Sequence, residues 1–228
     1  GAQVCGTSGR RGLEAVTLAT AKGEDRIAAD CLAISGGWNP TVHLACHMGA
    51  RPTWDAARQA FLPPENAVPG MRVAGAAAGA FSTQACLESG LAEGAAVAVD
   101  LGFRAPELAA PTAGKTSYDI FPIWQVPGKG RAWLDFQNDV TVKDVVQAAG
   151  ENFRSVEHMK RYTTQGMAPD QGKNSNVAAL AVLAEATGRG IVETGTTTFR
   201  PPYVPVPIAA LGAGGKGKGF APERRTTS

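Results

Sequence analysis

No cysteine follows Cys86 in this sequence, and the four present, Cys5, Cys31, Cys46 and Cys86, form no C-x-x-C pair. Neither structural zinc nor a disulfide framework is expected in a chain of 228 residues built this way. Cys31 and Cys86 lie in apolar runs and read as small core residues. No apolar run approaches the roughly 18 residues a membrane span requires, and no signal peptide is recognisable. The expectation is a soluble cytoplasmic protein without membrane contact. Charge is also scarce: charged residues make up 18% and the formal net charge is +2. That balance leaves no nucleic-acid footprint, so no nucleic-acid partner is expected. The three histidines are His43, His47 and His158. They assemble no nucleophile–base–acid set, and no catalytic residue is assigned. His43 and His47 are spaced to share a helix face, yet only Cys46 is near and would point elsewhere, so no metal site is assigned. His158 reads as solvated.

Two phosphate-loop patterns fail. No G-x-G-x-x-G follows a strand. Ala109 stands where the first glycine of a G-x-x-x-x-G-K-T loop belongs, and what precedes it is not a strand. Residues 212–219, G-A-G-G-K-G-K-G, read as a solvated basic linker.

What is present suits a packed core: 44% of the residues are hydrophobic. The alternation in Leu13–Thr20 predicts a strand, Gly23–Asp25 a turn, and Ile27–Ser35 a mostly buried strand. A bend at Gly36-Gly37-Trp38-Asn39-Pro40 follows. Met71–Gly75 reads as a further apolar run, leading through small residues into a helix over 81–103. A strand ending in glycine before a helix lets backbone approach a cofactor and aims helix amides at phosphate; tight strand–helix packing is the competing account. Residues 106–114 are a linker by composition, and Ile120–Val126 and Ala132–Phe136 read as extended.

The later part is helical. Val142, Val145, Val146 and Ala149 share one face, with Thr141 as N-cap and Asp144 completing a capping box. Val156, Met159 and Tyr162 share a second face, ended at Gly166. A third helix runs from 174 or 175 to Thr187, with Val177, Leu180, Ala181 and Ala184 inward and Gly188 closing it. Lys160, Arg161, Thr163, Thr164 and Lys173 cluster around the intervening turn and suit an anionic group; a basic solvated surface is the alternative. Thr196–Pro207 is too rich in proline for a helix. Its Phe199–Tyr203 part reads as a rigid arm packed on another domain or subunit, or else as an intramolecular strap.

Three stretches carry a resemblance: K-R-Y-T-T-Q-G-M at 160–167, D-Q-G-K-N-S-N at 170–176, and T-T-T-F-R-P-P-Y at 196–203. They closely resemble the α subunit of heterotetrameric sarcosine oxidase. More distant relatives, the multi-subunit amino-acid dehydrogenases, carry a small helical [2Fe–2S] domain with four cysteines where this chain has Asp135, Gln137, Asp170 and Ser175. Iron–sulfur ligation needs thiolates, so no cluster is expected. The fold implied is α/β: residues 1–104 as the C-terminal part of a dinucleotide-binding, disulfide-oxidoreductase-like domain, then linker and extended segments over 105–131. A small helical domain without the cluster follows over 132–195, and an extended arm over 196–228 leads toward an absent folate-binding domain. The chain, opening without methionine, reads as an internal fragment. Many flavoproteins of this type have an acidic residue after the glycine at 75; Ala76 stands there, which argues against FAD, and the resemblance implies that this domain holds NAD instead. The resemblance places NAD at Gly75, Ala76, Phe81 and Thr83, and FMN phosphate or a subunit interface at Lys160, Arg161, Thr163 and Lys173. It implies a complex with β, γ and δ subunits that oxidises sarcosine, with FAD and tetrahydrofolate held elsewhere. An electron-transfer subunit of an amino-acid or opine dehydrogenase, and a non-catalytic interaction module, are the alternatives.

Overall fold

The structure is a computed structural model and describes residues 1–128 and 130–211. The glycine–lysine linker at 212–219 lies outside the described residues. The fold is mixed α/β. It opens with an antiparallel meander of β1 (Gln3–Ser8), β2 (Ala15–Thr20) and β3 (Gly23–Ala28), with a register shift between Val4 and Gly6. The predicted strand at Leu13–Thr20 is β2. The turn sits at 21–22, two residues before the start the sequence suggested: Thr20 donates its hydroxyl to the Gly23 carbonyl at 2.8 Å, and Gly23 already starts β3.

The buried strand expected over Ile27–Ser35 does not form. β3 ends at Ala28, every one of its residues is exposed, and residues 29–42 carry no regular structure. A strand needs a ladder partner, and no described strand lies beside 30–35. Cys31 is accordingly exposed, not core, and Cys86 is half-buried with its thiol donating to the Ala80 carbonyl at 2.9 Å.

The short helix α1 (His43–His47) follows the glycine bend, then the hairpin β4 (Thr53–Asp55) and β5 (Ala60–Leu62). Met71–Gly75 is also not a strand. It runs alongside α2 (Thr83–Asp100), held there by Arg72, whose guanidinium reaches Glu93 at 3.1 Å and Asp100 at 2.7 Å. A 3-10 turn at Gly75–Ala78 precedes α2, and the Ser82 side chain accepts from the Ala85 amide. That cap starts the helix later than the predicted residue 81. None of the 18 residues of α2 is buried.

The tightly packed part begins at the hairpin β6 (Trp133–Asp135) and β7 (Val140–Thr141). It continues through α3 (Val142–Gly150), α4 (Val156–Thr163), α5 (Asn176–Thr187) and α6 (Ile191–Thr194), with α7 (Ile208–Leu211) beyond. Val145, Ala148, Met159, Leu180 and Leu183 form the core, each at most 1% exposed, and Phe61 of β5 and Trp54 of β4 pack against it. α5 is the central element, buried on nearly all sides, so its apolar residues show no single face. α3 is rotated slightly from expectation: Ala148 is inside and Val146 is 49% exposed. Tyr162 also leaves the core and stacks on Phe153, its hydroxyl donating to Glu151 at 2.5 Å.

The capping box forms as the sequence indicated. The Asp144 carboxylate accepts from both the amide and the hydroxyl of Thr141, each at 2.7 Å. Asp144→Ala should therefore cost about 1 kcal/mol, read as a lowered urea midpoint. α4 stops at Thr164, which adopts the left-handed conformation at φ 64°, before Gly166 is reached. Gly188 closes α5 in the same conformation. Among the described residues no helix is long and apolar enough to cross a membrane.

Candidate functional site

The arm at 196–203 is the element that draws the rest together. Its Thr198 amide donates to Glu157 of α4 at 2.8 Å, and Thr197 accepts from Asn176 of α5 at 3.1 Å. Gln171 donates to the Pro202 carbonyl, and Lys173 to that of Tyr203. Phe199 is buried against Val42 and Cys46, its ring centroid 3.9 Å from that of His43, and Tyr203 meets His43 edge-on at 5.7 Å. The arm is thus a strap tying α1 to the helical part.

Beneath the strap lies a cavity of about 440 Å³, walled by the glycine bend, α1, the start of α5 and the aromatics Trp38, His43, Phe199 and Tyr203. Lys173 lines it and is, among the described residues, the one charged residue there. The ammonium sits 4.1 Å from the Tyr203 ring centroid. Two lining residues hold buried polar atoms without partners among the described residues: both ring nitrogens of His43 and Oδ1 of Asn176. A second cavity of about 570 Å³ adjoins it across Gly36–Asn39.

His43, considered from sequence for a metal, is instead a packed aromatic. Burial, then the charges of Lys173 and His47, push its pKa from 6.5 down to about 4. The fold therefore holds the neutral ring, while the unfolded chain takes up a proton near its ordinary pKa. Stability is full above about pH 6.5 and declines as pH falls toward 4, by up to about 3 kcal/mol. His43→Phe should flatten that part of the stability–pH curve, measured as urea midpoints between pH 4 and 7.

The basic cluster does not converge as a unit. Arg161 pairs with Glu157 at 2.9 Å and Thr163 donates to the Met159 carbonyl at 2.9 Å. Burial works against the charge on Glu157, but the Thr198 amide, Lys160 and Arg161 outweigh it and hold its carboxyl below the usual range. Lys160 is half-buried, and burial lowers its pKa against the pull of Glu157. Lys173 alone reaches the cavity. His158 is exposed.

The other predicted set lies at the start of α2. Gly75 adopts φ 63° and its amide donates to Ser89 at 3.1 Å; Ala76 and Thr83 are exposed. Phe81 meets Tyr118 at a tilt of 42° with ring centroids 4.5 Å apart, and the Tyr118 hydroxyl accepts from the Trp38 amide at 3.0 Å. That contact connects the two regions, a link no sequence spacing announces across 80 residues.

The four positions expected to replace cluster cysteines bond to the chain itself. The carboxylate of Asp135 is 2% exposed and accepts from the amides of Gln137, Asn138 and Gly166. Ser175 accepts from Gln165 at 2.7 Å, and Asp170 from the Gly172 amide at 3.1 Å. Gln137 joins this set through its backbone amide.

Residues 129–215 match the family described as the sarcosine oxidase A3 domain. This chain carries a sarcosine oxidase A3 domain. Similarity extends beyond that domain: the chain is 43% identical over 228 residues to the sarcosine oxidase subunit alpha of Rhizobium meliloti (strain 1021), covering 99% of this chain and 23% of the relative. It is 42% identical to the subunit alpha of Corynebacterium sp. (strain P-1), over 88% of this chain and 22% of the relative. The chain therefore spans less than a quarter of those relatives. A crystal structure of L-proline dehydrogenase from P. horikoshii shares the fold, with a TM-score of 0.64 at 20% identity, over 90% of this chain and 43% of the other. The A3 domain contains α3 to α6, the Asp135 network, Lys173 and the strap. The signal missed in the sequence was Asp135-Phe136-Gln137-Asn138, an aspartate followed two residues on by an amide it can accept from.

Proposed function

We propose that this chain is the cofactor-holding, non-catalytic segment of the α subunit of a cytoplasmic sarcosine oxidase complex with β, γ and δ subunits. The complex converts sarcosine, oxygen and tetrahydrofolate to glycine, hydrogen peroxide and 5,10-methylenetetrahydrofolate. The observation that carries this is identity above 40% across nearly the whole chain to segments of sarcosine oxidase α subunits. Residues 1–104 act as part of an NAD-binding domain, 105–131 as linker, 132–195 as a helical domain related to [2Fe–2S] domains, and 196–228 as an arm toward a folate-binding domain.

Gly75, Ala76, Phe81 and Thr83 would hold NAD. Lys173, with Lys160, Arg161 and Thr163 nearby on α4, would face FMN phosphate or the partner subunit. The fit rests on Lys173, a cation in a cavity that holds no carboxylate and two residues with unpartnered buried polar atoms among the described residues. When bound, the flavin supplies electron acceptance and its reoxidation by oxygen. This chain's contribution is to hold the anionic group with the Lys173 ammonium and to exclude water with the strap. FAD and tetrahydrofolate belong to other parts of the complex. An iron–sulfur cluster does not fit, because oxygen and amide side chains stand at the four positions and supply no thiolate, and those of Asp135, Asp170 and Ser175 already accept hydrogen bonds within the chain.

Extracted cofactors of the whole complex test this reading. Flavin and NAD with sarcosine-dependent peroxide formation support it. Iron with acid-labile sulfide would hand the chain to the electron-transfer dehydrogenases. Lys173→Met should weaken FMN retention about tenfold or more while leaving FAD in place, since one charge-assisted hydrogen bond is worth about 1.5–3 kcal/mol. Unchanged FMN would remove Lys173 from the site.

A further inference from the structure

A separate cavity of about 810 Å³ lies at the root of the strap, between the loop after α1, β4, α6 and residues 195–198. Among the described residues it shares only Phe61 and Thr196 with the cavity that Lys173 lines. Its size falls within the range of small-molecule sites, about 300–1,000 Å³.

The charge in this cavity is one-sided. Among the described residues Arg51 is the one charged residue in the wall; it is exposed and takes part in none of the ion pairs. The carboxylates on the bounding strand and helix are committed elsewhere: Asp55 of β4 to Arg58 at 2.6 Å, and Glu193 of α6 to Arg189 at 3.5 Å. Hydroxyl donors stand in the same wall, on Thr53, Thr196, Thr197 and Thr198. Thr197 is 4% exposed, and its oxygen accepts from Asn176, which leaves its own hydroxyl proton for an acceptor. The rest of the wall is apolar or neutral. Trp54 packs on the core and meets Phe61 edge-on at 5.1 Å, and burial pushes the Cys46 thiol up, so that it adds no negative charge.

We infer that this cavity binds a monocarboxylate with a flat apolar body, the carboxylate on Arg51 and the threonine hydroxyls and the body against Trp54. A guanidinium fork matches a carboxylate in plane and in charge. A phosphoryl group would bring about two negative charges to a single cation. An amino acid would bring an ammonium that no described carboxylate in the wall could meet. The site is independent of the cofactor reading, since none of the residues assigned to NAD or FMN lies in this wall.

Equilibrium dialysis of radiolabelled benzoate against the intact protein and against Arg51→Met tests the inference. Arg51 is exposed, so its replacement leaves the core alone. One benzoate site per chain should weaken about tenfold to a hundredfold in the variant, the effect of losing one charge-assisted bond. Benzoate held elsewhere binds both forms alike, so identical isotherms overturn the inference. A second measurement needs no variant. Phenylglyoxal modifies arginine, and peptide mass spectrometry follows Arg51 by itself. Benzoate should slow that modification saturably. Benzylamine, the same ring with an ammonium, should not, and inorganic phosphate should protect less than benzoate. No protection by benzoate overturns the site; protection by phosphate or benzylamine equal to that by benzoate overturns the carboxylate as its ligand.

Discussion

Asp135→Ala is expected to destabilise the protein by about 3–5 kcal/mol, seen as a large drop in urea midpoint. The carboxylate is almost fully buried and accepts from three backbone amides: Gln137 at 2.9 Å, Asn138 at 3.3 Å and Gly166 at 2.9 Å. The first two close the β6–β7 turn on itself, and the third pins the loop after α4 to that turn. Alanine leaves the Gly166 amide buried without an acceptor and removes a charge-assisted bond from each side. An orphaned buried donor costs about 1–3 kcal/mol and a lost bond to a charge about 1.5–3. Asp135→Asn keeps the volume and one oxygen, but its NH2 faces an amide donor, so about half the loss should remain. A midpoint shift below about 0.5 kcal/mol for alanine would show that the network is not what joins turn to loop. Because the same loop carries Lys173, ligand retention should fall together with stability.

Gly172→Ala is the second large effect. Gly172 adopts φ 69°, where a side chain is strained, and its Cβ would lie 2.1 Å from Oδ1 of Asn176 and 2.5 Å from its Cγ. Asn176 cannot simply swing aside, since its amide donates to the Gln171 carbonyl and to Thr197 of the strap, both at 3.1 Å. The left-handed backbone costs about 1 kcal/mol for a residue with a Cβ, and losing the buried amide's bonds adds about 1–3 kcal/mol. A total near 3 kcal/mol is expected. The distinguishing readout is the strap: protease cleavage near 196–203 should accelerate in Gly172→Ala but not in Asp144→Ala, which weakens only a helix cap. Equal cleavage rates would mean that Asn176 does not hold the strap down.

The helices of the A3 domain were legible because each carries its own local evidence. Thr141 and Asp144 cap α3, Gly188 stops α5, and the apolar spacing locates α3, α4 and α5 to within a few residues. Errors arose where distant partners decide. Val146 and Tyr162 fit the periodicity of inward positions but point outward, Tyr162 being drawn to Phe153 and Glu151 at the helix surface. Ile27–Ser35 and Met71–Gly75 have strand composition, but no described strand lies alongside to complete a ladder. Lys173 could be singled out from its anion-suited surroundings in the sequence. Trp38 and His43 could not be placed with it, since their partners Tyr118 and Phe199 lie tens of residues away, and the same holds for the Asp135 contact to Gly166.

The sequence by itself determined the family, through motifs at 160–176 and 196–203, and the helical elements, because capping, left-handed stops and apolar period are properties of neighbouring residues. It determined as well that no thiolate set stands in the A3 domain. Only the tertiary structure decided that the 196–203 arm closes over Lys173, that His43 is a packing ring, and that Trp38 divides two cavities. Each depends on side chains converging from separated segments, and convergence is set by packing around α5 and a few buried hydrogen bonds, which no local pattern records.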